Sequence, residues 1–254
     1  MKNALKYFLH KLFGFEKYLF LFSRFKIYTL KRDKKENDFF YFLNLFPENA
    51  NVLDIGANIG IMTVHLAKKL KAGIVYSFEP IPSNIKTLKR IVAFFKLKNV
   101  RIFEMALGNE NGEIKMVVPV VNSVKMQGLS HVVHKSIPEN NEGDTFKVPI
   151  KKLDELDELK SNAVTISGIK IDVENFEYFV LEGGKEFLKK QHPVIYIELW
   201  ENENREKCFR LAQELGYEIY IVKNNQLKQF DSKTDQTQNF IFKFTPQNSI
   251  LQSV

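Results

Sequence analysis

The sequence is poor in cysteine and contains no long hydrophobic run. Cys208 is the only cysteine among 254 residues, so no disulfide can form within the chain. A single thiol is typical of proteins in a reducing compartment, which favours a cytoplasmic location. Charged residues interrupt each apolar stretch before it reaches the roughly 18 residues that a membrane span needs. No cleavage site of small residues follows the N-terminal segment, so we expect neither a membrane span nor a signal peptide.

The bulk composition is that of a globular protein with a basic surface. Hydrophobic residues make up 44% and charged residues 26% of the chain, which excludes global disorder. The net charge of +7 favours an anionic partner such as nucleic acid, an acidic glycan or a membrane surface. Lysine-rich compositions also occur without such a partner, so charge alone leaves the question open.

Residues 1–48 are expected to form a helical extension, residues 49–246 a domain, and residues 247–254 a frayed tail. One interpretation of the extension is a basic, aromatic helix, with residues 1–46 resting on the inner face of an anionic membrane. The favoured interpretation is a cap packed on the domain or on a second subunit of a homo-oligomer. Both rest on apolar residues at steps of three and four, which predict an amphipathic helix: Leu5, Phe8, Leu12, Phe15, Leu19 and Phe22.

Strand-like and helical patterns alternate from residue 51 onward. Such alternation predicts an α/β fold with a Rossmann-like, mostly parallel sheet and helices on both faces. Residues 122–144 are polar and rich in turn formers, and we expect a loop there, since long loops in compact domains are commonly lids. Seven strands are expected, at 51–55, 74–79, 100–106, 166–172, 194–198, 217–222 and 239–244.

A glycine turn follows the first strand, in the run Asp54-Ile55-Gly56-Ala57-Asn58-Ile59-Gly60. Gly56 and Gly60 lack a Cβ, so a ligand can approach the backbone closely. Glu79 ends the next strand, where a carboxylate can accept both hydroxyls of a ribose. These features together predict a nucleoside site. The turn lacks the Gly-x-Gly-x-x-Gly spacing of dinucleotide binders, which argues against a nicotinamide cofactor.

The turn is the first of several motifs whose order and spacing resemble the FkbM-type methyltransferases, a branch of the S-adenosylmethionine-dependent enzymes with the class I methyltransferase fold. The resemblance covers roughly residues 50–200 and departs from the family pattern at Asn175, where a glycine is usual. The further motifs are Phe78-Glu79-Pro80 with Asn84, Ala106-Leu107-Gly108, Val148-Pro149-Ile150 with Leu153-Asp154, Lys170-Ile171-Asp172-Val173-Glu174, Leu181-Glu182-Gly183-Gly184 and Pro193-Val194-Ile195-Tyr196-Ile197-Glu198.

The resemblance implies that S-adenosylmethionine is the cofactor. It implies that the turn holds the methionine part and the ribose, that Glu79 accepts the ribose hydroxyls, and that two small apolar residues lie beside the adenine. The alternatives are a structural turn without a ligand and ordinary core packing beside it. The expected cofactor-binding residues are Asp54, Gly56, Asn58, Gly60, Glu79, Ala106 and Leu107.

Two carboxylates end the fourth strand, at the edge where ligands of open α/β sheets lie. A hydroxyl acceptor loses its proton as it attacks a methyl group, so Asp172 or Glu174 is the expected general base. The alternative is a structural pair linked to Lys170. A divalent metal on these acids is an open alternative, but no third ligand is evident beside them, so no metal ion is predicted.

Other candidates come from the loop and from the fifth strand. Either His131 or His134, at the end of the loop, is a further candidate base, and His131 is the one assigned to the site. Ser130 and Glu198 are expected to contact the acceptor. A solvated loop histidine and a plain strand end are the simpler interpretations of these residues.

The resemblance implies O-methylation of a hydroxyl on a sugar, a glycan or a related saccharide-containing metabolite, as in polysaccharide biosynthesis. A nucleic-acid methyltransferase is one alternative, which the net charge favours. Base methylases commonly carry an Asn/Asp-Pro-Pro-aromatic run after the fourth strand, whereas this chain has Asp172-Val173-Glu174-Asn175, whose acids repel phosphate. No nucleic-acid partner is therefore expected. A non-catalytic nucleotide-binding module that keeps only the fold is the other alternative.

Overall fold

The structure is a computed structural model that describes residues 12–121, 124–135, 137, 141–160 and 164–246. Its strands, in chain order, are β1 (Asn51–Ile55), β2 (Val75–Phe78), β3 (Val100–Phe103), β4 (Ala106–Leu107), β5 (Gly112–Val121), β6 (Val124–Lys125), β7 (His131–Val132), β8 (Gly143–Lys151), β9 (Ile166–Ile171), β10 (Val194–Glu198), β11 (Tyr217–Lys223), β12 (Gln226–Gln229) and β13 (Asn239–Phe244). Its α-helices are α1 (Phe15–Thr29), α2 (Asn37–Asn44), α3 (Ile61–Lys69), α4 (Pro82–Phe94), α5 (Asp157–Lys160), α6 (Glu177–Glu182), α7 (Lys185–Gln191) and α8 (Glu203–Glu214).

The larger sheet has the strand order β12-β11-β13-β10-β9-β1-β2-β3. The strands from β10 to β3 are parallel, and β13 returns antiparallel to β10. The expected α/β fold with a mostly parallel sheet is confirmed. Because the order reverses beside β1, the carboxyl ends of β1 and β9 open a crevice at the switch point, where ligands of such sheets bind.

The expected number of seven strands is wrong, since this sheet has eight. The additional strand β12 pairs with β11 through a two-residue turn at Asn224 and Asn225, whose φ angles are 53° and 58°. Positive φ at both positions is typical of the type I′ turns that join hairpin strands. The sequence of β12 is Gln-Leu-Lys-Gln, which lacks the apolar alternation by which a strand is recognised.

A smaller sheet of five strands, in the order β4-β8-β5-β6 with β7 on β5, packs beside the large one. The expectation of a plain loop over residues 122–144 is therefore wrong in part. The segment contains β6, a 3-10 turn at Gln127–Leu129, and β7, which pairs antiparallel to β5. These elements are too short to leave a periodic signal in the sequence, and they depend on pairing with β5.

The central strands are buried on both faces, as parallel strands covered by helices are. Val52 and Val75 point to one face and pack with Phe42 of α2. Leu53 and Tyr76, one residue further along, point to the opposite face. Two apolar cores, one on either side of the sheet, result.

Helix α1 packs part of its apolar stripe on the domain. Leu19 is fully buried against Ile59 of the glycine turn, with Phe22 beside it. Ser23 Oγ donates a hydrogen bond to the Ile59 carbonyl over 2.9 Å. The division of the chain into a helical extension (residues 1–48) and a domain (residues 49–246) stays a prediction. Leu5, Phe8 and the expected tail at 247–254 lie outside the described residues.

Candidate active site

A cleft lies at the carboxyl ends of β1, β2 and β9, covered on one side by the 3-10 turn at Gln127–Leu129. The cleft is partly open to solvent, and both polar and apolar side chains line it. Of the sequence-predicted residues, Gly56, Asn58, Glu79, Ala106, Leu107, Ser130, Asp172 and Glu174 line the cleft. Asp54, Gly60, His131 and Glu198 are not part of its lining.

The glycines of the turn are required mainly by packing. Gly56 has a φ of 77°, and a Cβ there would lie 1.9 Å from the carbonyl oxygen of Asp172. Gly60 has a φ of 83°, and a Cβ there would lie 2.8 Å from a methyl group of Leu88. Gly56 thus lets the end of β9 approach the turn, whereas Gly60 lets α3 approach α4 outside the cleft.

Asp54 lies beneath the turn and is fully buried. Thr63 Oγ1 donates to its Oδ2 over 2.6 Å, and Lys170 Nζ lies 3.5 Å from its Oδ1. Lys170 Nζ also donates to the Gly56 carbonyl over 2.8 Å. Burial acts to lower the pKa of Lys170, but the carboxylates of Asp172 and Asp54 outweigh it and the pKa is raised. Asp54 and this buried cation support the turn from below, and the expected role of Asp54 in holding the cofactor through the turn or by water stays a prediction.

Glu79 connects the end of β2 to the glycine turn. Its Oε2 accepts a hydrogen bond from the Asn58 amide at 2.8 Å, and its Oε1 accepts from the Ile81 amide at 2.9 Å and from Asn84 Nδ2 at 3.2 Å. Burial raises the pKa of Glu79 to about 7, against the effect of these hydrogen bonds. Each carboxylate oxygen has two acceptor sites, so Oε2 retains capacity for a ligand hydroxyl.

Three buried amide oxygens of the cleft have no hydrogen-bond partner among the described residues: Asn58 Oδ1, Asn84 Oδ1 and Gln127 Oε1. A buried acceptor without a donor costs about 1–3 kcal/mol. The described lining also contains the carboxyl groups of Glu79, Asp172 and Glu174 and no lysine, arginine or histidine. Such a cleft suits a ligand that is rich in donors and positively charged, and it disfavours a phosphate.

Gln127 and Asn84 are the residues that sequence patterns alone did not assign to the site. Asn84 is part of a motif of the resemblance, but its role depends on the contact with Glu79. Gln127 lies in the segment expected to be a plain loop, where no sequence signal marks a buried side chain. Both became recognisable only when tertiary contacts showed an amide oxygen without a donor.

The carboxyl groups beyond β9 differ in their surroundings. The side chain of Asp172 is 33% exposed and lies 3.7 Å from Lys170 Nζ. Burial raises the pKa of Glu174 to about 9, and the charges of Asp172 and Glu198 add to the effect. Glu174 is therefore protonated at neutral pH and can donate a hydrogen bond. Asp172, which both lines the cleft and faces a cation, is the better candidate base.

Two further acids lie just outside the lining. Burial raises the pKa of Glu198, at the end of β10, to about 7, and Asp172 contributes to the shift. Burial raises the pKa of Glu177 to about 8, and its Oε1 accepts the Val173 amide at 3.0 Å. Glu177 thus fixes the backbone that carries Asp172 and Glu174. The described residues contain no cluster of three His, Cys, Asp or Glu side chains arranged to hold a metal ion.

The structure places His131 outside the cleft. Its ring is buried, with Nδ1 2.9 Å from the Leu129 carbonyl and Nε2 3.3 Å from Asn141 Oδ1. Val132, the next residue of β7, lines the cleft, and neighbouring strand residues point to opposite faces. Ser130 does reach the cleft, and its Oγ donates to the Gln127 carbonyl over 2.8 Å.

His134 is also absent from the lining of the cleft, and its ring packs at 4.8 Å from the ring of Phe179.

In the part of the chain that the structure describes, no helix has both the length and the apolar character to cross a bilayer.

The fold and the cleft define a Rossmann-like methyltransferase. The chain belongs to the family of the methyltransferase FkbM domain, whose family model matches residues 54–232. It is similar to Methyltransferase 1 of Beauveria bassiana (strain ARSEF 2860), with 24% identity over 151 residues, 54% of this chain and 59% of that protein. It is also similar to Methyltransferase sdnD of Sordaria araneosa, with 24% identity over 204 residues, 72% of this chain and 79% of that protein.

Among solved structures, Methyltransferase FkbM from Methylobacillus flagellatus KT superimposes with a TM-score of 0.51 at 15% identity. The superposition covers 78% of this chain and 44% of that one, and it shows a shared fold.

S-adenosylmethionine is the expected cofactor of this family, and the residues of the cleft fit it. Its ammonium group, ribose hydroxyls and adenine amino group are donors, which match the unpaired oxygens of Asn58, Asn84 and Gln127. Its sulfonium is a cation, which matches a lining that holds carboxyl groups and no described basic side chain. Asn58, Glu79, Ala106 and Leu107 all line the cleft, and their roles in holding the cofactor stay predictions.

Proposed function

We propose that the protein is an S-adenosylmethionine-dependent O-methyltransferase acting on a hydroxyl of a sugar, a glycan or a related saccharide-containing metabolite. The observation that carries the proposal is the pairing of Asp172, an acceptor beside Lys170, with the protonated Glu174 in one cleft. Ser130 adds a hydroxyl to the same lining. Adjacent donors and acceptors suit a molecule with several hydroxyl groups.

On the evidence of its single thiol we also assign the protein to the cytoplasm.

The cofactor, when bound, supplies a methyl group on a positively charged sulfur. Asp172 accepts the proton that the acceptor hydroxyl loses, and Lys170 stabilises the carboxylate before that transfer. Glu174 and Ser130 orient the acceptor by hydrogen bonds, so that the hydroxyl oxygen is aligned for attack. The Gly56 turn and Glu79, held together through the Asn58 amide, position the cofactor side of the cleft.

A nucleic-acid acceptor is the second candidate, and only the net charge of +7 favours it. The acceptor side of the cleft carries the carboxylate of Asp172, which repels a phosphate backbone. The lining of the cleft contains none of the basic residues Lys17, Arg24, Lys31, Lys68, Lys69 and Lys71.

The test combines transfer of a labelled methyl group to a panel of monosaccharides, nucleotide sugars, oligosaccharides and RNA with the variant Asp172→Asn. We expect methylation of a saccharide by the wild type and a loss of about 10²–10⁴-fold in kcat in the variant, the usual contribution of a general base. Cofactor binding should be largely retained, because Glu79 and the glycine turn on the cofactor side of the cleft are unchanged.

Glu113→Gln, at an exposed position on β5, is the matched control and should retain full turnover. Methylation of RNA alone would contradict the proposal. Unchanged turnover in Asp172→Asn would remove Asp172 from the role of base.

A further inference from the structure

Helix α1 has a second apolar face, opposite to the one that packs on the domain. Its buried face comprises Tyr18, Leu19, Ser23 and Ile27. With about 100° of rotation per residue, Leu21, Phe25 and Tyr28 fall together on the other side of the helix. Their exposed fractions are 37%, 63% and 63%. Large apolar side chains grouped in this way mark a contact surface rather than scattered surface hydrophobics.

A row of basic residues runs beside this face. Lys17 and Arg24 are seven residues apart, about two helical turns, so they share one side of α1, and Lys31 follows in the 3-10 turn at Leu30–Arg32 directly after the helix. Beyond Tyr28 and Lys31 the row continues into a groove formed with the end of α3. The groove adds Lys68, Lys69 and Lys71, and Glu48 is the single acid in its described lining.

Aromatic rings hold several of these cations close to the apolar face. The guanidinium of Arg24 lies 4.2 Å above the ring of Phe94, and Lys68 Nζ lies 4.2 Å above the ring of Phe95. Phe94, at the end of α4, is itself exposed and extends the apolar face across to that helix. The ring of Phe95 lies 6.0 Å from that of Tyr28. Cations and apolar groups thus form one continuous surface.

We propose that this surface, the α1 outer face (Leu21, Phe25, Tyr28 and Phe94 with Lys17, Arg24, Lys31 and Lys68), docks the protein on an anionic lipid bilayer. An apolar row flanked by basic side chains is the pattern of a helix that lies in the plane of a membrane interface. The apolar row enters the boundary of the acyl chains while the long basic side chains extend to the lipid phosphates. An acidic protein or RNA would pair with the lysines but would leave Leu21 and Phe25 exposed to water.

The test is flotation of the full chain with vesicles of phosphatidylcholine alone or mixed with phosphatidylglycerol, at low and high salt. We expect flotation with the anionic vesicles only, weakened by salt. Lys31→Glu with Lys68→Glu should lower the partition coefficient more than tenfold, since each basic residue contributes roughly fivefold at an anionic surface. Phe25→Ser with Tyr28→Ser should lower it by about tenfold or more through lost apolar contact.

Matched controls are Lys115→Glu on β5 and Leu45→Ser, at exposed positions outside the α1 outer face. Both should float like the wild type. All variants should bind S-adenosylmethionine as the wild type does, because none touches the cleft. The readout is therefore independent of the methyltransferase proposal, and unchanged melting temperatures will show that the variants fold.

Three outcomes would overturn the proposal. The first is equal flotation of the wild type and both double variants. The second is absence of flotation together with a dimer that Phe25→Ser and Tyr28→Ser dissociate in sedimentation velocity, which would make the face an interface between copies of the chain. The third is absence of flotation together with RNA binding that both double variants abolish.

Discussion

At the scale of single residues, the buried amide oxygens without a hydrogen-bond donor indicate a ligand site more clearly than the glycines of the turn do. Gly56 and Gly60 are explained by the approach of Asp172 and Leu88 to the turn, whether or not a ligand is bound. The amide oxygens of Asn84 and Gln127 have no such explanation within the described residues. Their burial is a cost that a donor-rich ligand removes.

We predict that Gln127→Leu weakens the binding of S-adenosylmethionine about tenfold, the value of roughly one hydrogen bond to a buried acceptor. The free protein should be as stable as the wild type or more stable, because the variant removes an unpaired acceptor. Calorimetric titration and thermal melting measure the two effects. Gln213→Leu, at an exposed position on α8, is the control. An unchanged affinity in Gln127→Leu would exclude the amide from the cofactor site.

At the scale of elements, the turn from β9 to α6 explains the departure from the family pattern at Asn175. Glu174 and Asn175 have φ angles of 52° and 74°, a left-handed conformation that Asn tolerates better than most residues. Asn202 Nδ2 donates to Asn175 Oδ1 over 2.6 Å, and Asn204 Nδ2 donates to the Asn175 carbonyl over 3.1 Å. Asn175 thus takes the backbone conformation that suits glycine and adds a contact to the start of α8.

We predict that Asn175→Gly lowers the free energy of unfolding by about 1 kcal/mol, through the lost hydrogen bond. Asn175→Val should lower it by about 3 kcal/mol, because a β-branched side chain disfavours positive φ in addition. Denaturant unfolding of the two variants measures the difference. Equal values for Gly and Val would show that the left-handed turn does not form.

The elements that could be predicted from sequence are those with a strong local pattern. Strand β10 is an apolar run that ends in Glu198, and Glu79 was predictable because a strand end fixes the position of a side chain at the sheet edge. Strand β12 is polar and β7 is very short, so their existence depends on pairing partners far along the chain. The orientation of His131 away from the cleft follows from the pairing of β7 with β5, so it could not be predicted from the sequence either.

At the scale of the whole molecule, several acids gather at the carboxyl edge of the sheet. Burial raises the pKa of Glu174 to about 9, of Glu177 to about 8, and of Glu198 and Glu79 to about 7. The folded protein therefore holds protons that the unfolded chain releases near pH 4.5. Stability is present at lower pH and is lost as pH rises through the folded-state pKa values.

We predict that the melting temperature falls as pH is raised from about 6.5 to about 8.5. Below this window His65 acts in the opposite direction, because burial lowers its pKa to about 4. Glu177→Gln keeps the acceptor for the Val173 amide and removes one titrating group. Across this pH window the melting temperature of the variant should therefore fall by at least about 2–4 °C less than that of the wild type. A wild-type melting temperature that is constant or rises over this range would contradict the assignment of buried, protonated acids.

The central claim is that a cleft lined by carboxyl groups and unpaired hydrogen-bond acceptors binds S-adenosylmethionine. Calorimetric titration tests this claim most directly. We expect the wild type to bind S-adenosylmethionine and S-adenosylhomocysteine and to show no binding of NAD, whose phosphates meet Glu79 and Asp172. Glu79→Gln keeps the shape of the side chain but loses its charge, and it should weaken binding by about 10-fold or more. Binding of NAD in place of the adenosyl compounds, or equal affinity in Glu79→Gln, would contradict the account.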